Sequence, residues 1–141
     1  MAFDTILVRL ESVLMDPDVG RARAGVPAFC AQLQTFGDVR VIAEWDTAIA
    51  EAEMRQLART GHIPRAWGRR GTMPLLAYPQ NGRPALSVFG PPGRVLLIDA
   101  FPPPSDADSE WTIRARWIPE TLHGVIGAIR ERVNARADEP W

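Results

Sequence analysis

Apolar and polar positions along the chain alternate between two periods. Thr5 to Leu10 (TILVRL) is a continuous apolar, β-branched run broken only by Arg9, which predicts a buried strand. Asp16-Pro17-Asp18-Val19-Gly20 follows as turn chemistry. From Pro27 the period becomes helical: Phe29, Cys30, Leu33 and Phe36 share one face, and Gly37 is placed to stop the helix. Val39 to Ala43 predicts a second strand. A second helix follows, capped by Asp46 or Thr47, with Ile49, Met54, Leu57 and Ala58 on its apolar side and Gly61 closing it. Glu51 and Glu53 near its start and Arg55 and Arg59 near its end suit the helix dipole.

Ile63 to Trp67 is the expected third strand. Between Gly68 and Pro92 no period is legible. Asn81-Gly82 is a hairpin signal, but Pro79 and Pro84 flank it, so a loop and a short helix over Pro84 to Phe89 are expected instead. Arg94 to Asp99 is the clearest strand, four apolar residues ending on a carboxylate. Phe101 to Asp108 is a Pro/Ser/Asp loop. Thr112 to Ile118 alternates as a half-exposed edge strand, with Ile113, Ala115 and Trp117 on one side. Pro119 to Val133 is a terminal helix with Leu122, Ile126, Ile129 and Val133 on one stripe. Strands alternating with helices imply right-handed βαβ units in a three-layer, doubly wound, mostly parallel α/β sheet. One domain over 1–135 and a tail over 136–141 are expected.

Composition narrows the function classes. The chain has 141 residues, 46% hydrophobic and 23% charged, with a net charge of −1. That balance gives no signal for nucleic acid or an anionic membrane. All 16 basic residues are arginine, consistent with GC-rich coding, and chemistry that needs a lysine amine is excluded. Cys30 is the single cysteine and reads as core; His62 and His123 are isolated, so no metal site and no cofactor are expected. No leader and no membrane span are read in the chain, and a cytoplasmic location is expected.

In parallel α/β sheets ligands sit beyond the carboxyl ends of the strands. Three such places matter: Arg9 to Leu14, Ala43 to Thr47, and Asp99 to Phe101. Their order resembles the haloacid dehalogenase superfamily. There an apolar strand runs into D-x-D-G-x-L; the run here is Ile6-Leu7-Val8-Arg9-Leu10-Glu11-Ser12-Val13-Leu14. A second strand ends on Ser or Thr, and here Val39 to Ala43 runs into Glu44-Trp45-Asp46. A last strand ends on an acidic pair, here Asp99-Ala100. Trp45, Met54 to Leu57, Trp67-Gly68 and Thr72-Met73-Pro74 are similar in order to a small capless branch that includes domains of Swiss-army-knife RNA repair proteins.

The resemblance implies a phosphohydrolase site whose parts have changed. In that family the first aspartate attacks phosphorus and binds Mg²⁺, the second protonates the leaving group, a lysine neutralises the phosphoryl charge, and the last acids hold the metal. Arg9 stands at the nucleophile position and has no lone pair to donate. Glu11 matches the acid/base position, Glu44 or Trp45 the phosphate-gripping hydroxyl, and Asp99 one metal ligand. Arg69, Arg70 or Arg83 is left to replace the lysine charge. Arg9 is expected to pair with Glu11, Glu44 or Asp99.

Three functions follow. The first is a non-catalytic, HAD-like binding or scaffolding protein with a protein partner or a second copy as its ligand; Trp45, Trp67, Trp111 and Trp117 are core or contact residues. The second is a residual Mg²⁺-dependent phosphohydrolase drawing on Glu11, Asp16, Asp18, Glu44, Asp46 and Asp99. The third is a phosphate or nucleotide binder with Arg9 as clamp.

Overall fold

A computed structural model describes residues 2–16, 21–78, 85–100, 111–115 and 121–137. Five parallel strands form the central sheet. They are β1 (Thr5–Arg9), β4 (Asp38–Ala43), β5 (Leu75–Ala77), β6 (Val95–Asp99) and β7 (Thr112–Arg114), in the order β5-β4-β1-β6-β7. A small antiparallel pair, β2 (Met15–Asp16) and β3 (Arg21–Ala22), follows β1 directly. The helices are α1 (Val26–Phe36), α2 (Thr47–Arg59) and α3 (Thr121–Ala137). The order reverses direction between β1 and β6, as in a Rossmann-like doubly wound sheet.

Strand alternation divides the core in two. Ile6, Val8, Val41, Ala43, Leu96 and Ile98 face the helix side, where they pack with Phe29 and Leu33 of α1, Met54 and Leu57 of α2, and Ile126 and Ile129 of α3. The intervening Leu7, Ile42, Val95 and Leu97 face the other way, toward Leu86, Phe89 and Trp111. All three helices among the described residues therefore cover one face, so the expected three-layer arrangement with helices on both faces is not seen among them. On the opposite face the described part of the β5–β6 crossover carries only a 3-10 turn, Leu86–Val88. The expected short helix over Pro84 to Phe89 is reduced to that turn, and Pro84 lies outside the described residues.

Several local expectations hold. α1 ends at Gly37, where an added Cβ would meet the Phe3 carbonyl oxygen at 2.7 Å. Trp67 is buried in the core, whereas Trp45 and Trp111 are half-buried against it. α3 buries Leu122, Ile126 and Ile129, and continues to Ala137, past the expected tail boundary. β7 is an edge strand with Ile113 and Ala115 buried. Asp18, the Asn81-Gly82 turn, Arg83, the 101–108 loop and Trp117 lie outside the described residues.

Two expectations are corrected. Ile63 to Trp67 is not the third strand: Arg65–Gly68 forms a 3-10 turn after Pro64, and the strand lies later, at Leu75–Ala77. Ile49 is not on the buried face of α2, since Ala50, Met54, Leu57 and Ala58 form that face and Ile49 is 51% exposed.

The 3-10 turn packs so closely on α2 that a Cβ added to Gly68 would stand 2.5 Å from the Ala58 Cβ. Gly68→Ala should lower stability by about 1–3 kcal/mol in thermal or urea unfolding, because the turn must move off the helix. Gly71→Ala, with nothing within 4 Å, is the matched control and should change stability by less than about 0.5 kcal/mol. Cys30 is buried in α1, and burial pushes its thiol up to about 12. Iodoacetamide at pH 8 should leave the folded chain unlabelled and modify it rapidly in urea, because only thiolate reacts. Rapid labelling of the native chain would show α1 to be less well seated than described.

Candidate functional site

The turn between β1 and β2 builds the site. After Arg9 the chain continues its ladder for one residue, with Leu10 N–H donating to the Ile42 carbonyl at 2.8 Å. It then coils back: Met15 N–H donates to the Leu10 carbonyl and Ser12 N–H to the Met15 carbonyl. Ser12 takes a left-handed backbone, with φ of 72°. This is the position where the resemblance implies glycine, the residue that adopts such a conformation without steric cost. Arg23, also buried, reaches the Ser12 carbonyl at 3.5 Å.

Arg9 and Asp99 are the last residues of the two strands at the reversal point, and strand alternation sends both to the face of Leu7 and Leu97. Their side chains form a bidentate pair. Arg9 Nε donates to Asp99 Oδ1 at 2.7 Å, and Nη2 donates to Oδ2 at 3.0 Å. Arg9 is 1% exposed and Asp99 0%. Glu44 stands further off, its Oε2 3.9 Å from Arg9 Nη1, and its side chain is about half in solvent. The bond between Arg9 and Asp99 is thus a desolvated, geometrically matched fork, while Arg9–Glu44 is a loose contact at the surface.

Glu11 is 8% exposed, and its carboxylate does something the sequence does not signal. Its Oε1 accepts from the backbone N–H groups of both Glu44 and Trp45, at the carboxyl end of β4. Two main-chain donors that point out of the sheet edge are therefore filled by a carboxylate of the chain itself. Glu11 Oε2 is buried without a hydrogen-bond partner.

Of the four positions expected at the site, all converge on the same sheet edge: Arg9 with Asp99, Glu44 beside Arg9, and Glu11 across the β4 end. Asp46 is exposed at the N-terminus of α2 and makes no side-chain cap. Arg69 and Arg70 follow the 3-10 turn and are exposed. The contributions of Trp45 N–H and Arg23 are not legible in the sequence. The first is main chain, which no residue type advertises; the second reaches a main-chain carbonyl 11 residues away.

The residues present do not fit Mg²⁺. A guanidinium occupies the place where the resemblance puts a ligand and holds Asp99 through both oxygens. Among the described residues, no group of three or more His, Cys, Asp or Glu side chains converges as a metal site. In addition, no helix among them is long and apolar enough to cross a membrane.

Compared with known proteins, the chain matches no family model, no curated protein and no solved structure.

Proposed function

We propose that the chain is a catalytically inert, HAD-like domain that works as a binding or scaffolding protein. The observation that carries this reading is the bidentate Arg9–Asp99 pair at the sheet reversal, where a ligand of such a fold would sit. A phosphoryl-transfer site there needs a nucleophile with a free lone pair and a cation that neutralises the incoming anion. Arg9 supplies no lone pair, and its charge is spent on Asp99. The Glu11 carboxylate lies on the amides of Glu44 and Trp45, so an incoming phosphoryl oxygen would have to displace a covalently attached anion. The same fork argues against Arg9 as a phosphate clamp, since clamping would break a buried pair.

The competing reading, a residual phosphohydrolase, makes a different forecast. The full chain incubated with p-nitrophenyl phosphate and Mg²⁺ should release no nitrophenol above the buffer rate, and EDTA should change nothing. Magnesium-dependent turnover that disappears in Glu11→Ala or Asp99→Ala would overturn the inert reading.

A further inference from the structure

Among the described residues, no strand pairs with the outer edge of β5. β5 is hydrogen-bonded to β4 on one side only, through the Pro74 carbonyl, which accepts from Val41 N–H, and through Tyr78 N–H, which donates to the Ala43 carbonyl. In a parallel ladder successive residues bond to opposite sides. The main-chain N–H and C=O of Leu75 and Ala77 therefore point away from β4. Register pairs Leu75 with Val41 and Ala77 with Ala43, which places both side chains on the helix face.

A cavity of about 280 Å³ lies at this place. It is lined by Met73, Leu75 and Ala77, by Thr47, Glu51 and Arg55 of α2, and by Arg70. Arg55 is shared with Glu51 across one helical turn at 3.2 Å, an exposed pair that restrains little. Two arginines against one glutamate leave the rim positive. A strand edge with no pairing strand among the described residues, apolar lining residues and a basic rim occur together here.

We infer that β5 is a docking edge for an extended, acidic peptide segment of a partner protein, which adds a strand beside Leu75–Ala77 and sets its carboxylates against Arg55 and Arg70. Main-chain pairing supplies the affinity in this mode, and the side-chain pockets supply selection. Small or apolar side chains of the incoming strand fit the apolar lining, and acidic ones the rim. The inference gives a place and a chemistry to the binding role proposed above and rests on it. Phosphate-ester turnover would overturn that role and leave the edge standing, whereas the outcomes below bear on the edge alone.

The test is panning of a phage-displayed library of short random peptides against the full chain, followed by fluorescence anisotropy with the enriched sequences. Enrichment of acidic, β-prone peptides is expected. Arg70→Glu should weaken them about tenfold or more, since a rim cation becomes a like charge. Ala77→Pro should abolish binding: proline is tolerated at an edge position whose N–H faces outward, so the β4 ladder survives while the donor is lost. If Ala77→Pro fails to fold, Arg70→Glu still decides, because it leaves the strand intact. No enrichment, enrichment of basic peptides, or enriched peptides that bind both variants as well as the parent would overturn the inference. So would a stable dimer in light scattering that Ala77→Pro converts to monomer, since the edge would then belong to a second copy.

Discussion

Asp99→Ala should lower the unfolding free energy by about 3–5 kcal/mol, one of the two largest losses expected from any single substitution in this chain. The size follows from burial, not from the strength of the bond. Without Asp99 a guanidinium that is 1% exposed has lost the carboxylate that matches its fork. Glu44 cannot take over at its present 3.9 Å and half in solvent. Asp99→Asn is the more delicate probe, because it keeps the volume and an acceptor oxygen while removing the charge. The most informative variant of the series is the double change Arg9→Met with Asp99→Leu. Replacing both members of a buried pair by apolar residues is often neutral or stabilising. Urea unfolding of the parent, both singles and the double gives the coupling directly. A double variant as unstable as the singles would mean that the pair stabilises the fold outright.

Phe29→Ala should cost a similar amount, about 3–5 kcal/mol, because it empties a ring-sized volume between α1 and the sheet. The two faces of the sheet make the comparison useful. Phe29 belongs to a large cluster that ties all three helices to the strands, whereas Leu86 belongs to a small one beneath a 3-10 turn. Leu86→Ala should fall near about 2 kcal/mol, the lower end for a buried leucine, because a turn relaxes into the space more easily than a helix does. Equal losses on both faces, measured by urea unfolding, would show that the turn is held as rigidly as the helices.

The long, strongly patterned elements were legible from residue order. β1 and β6 are mostly apolar runs buried along their length, β4 becomes a buried apolar run from Val41 after the exposed Asp38 and Arg40, and the stripes of α1 and α2 have helical spacing. The third strand was not legible. Leu75-Leu76-Ala77 has no β-branched residue and is too short to display a period, while Ile63-Pro64-Arg65-Ala66-Trp67 offers an apolar beginning and end that mimic one. Ile49 misled for a related reason: it stands one residue from Ala50 on the helix, at the shoulder of the buried stripe. The one-sided placement of the helices is a matter of topology. Crossovers from β1 to β4 and from β4 to β5 step the same way along the sheet, so α1 and α2 share a face, while α3 follows β7 and packs beside α1. At the site, the strand ends and the resemblance offered Arg9 three partners, Glu11, Glu44 and Asp99; the buried fork forms with Asp99, and Glu44 stays at 3.9 Å. The seat of Glu11 was hidden, because its partners are peptide N–H groups.

The position of β1 between β4 and β6 also sets an order of assembly. Pairing β1 with β4 closes a segment about a third as long as the one closed by pairing β1 with β6, a difference of about 1 kcal/mol in loop entropy. During synthesis the gap is wider still, since Asp99 leaves the ribosome 90 residues after Arg9. A nascent half-sheet of β1, β4 and β5 can therefore form with one flank of β1 bare and a cation at its tip. A charged residue at the end of a bare strand is among the features that discourage pairing with another chain, and β6 later brings the carboxylate that pairs with it.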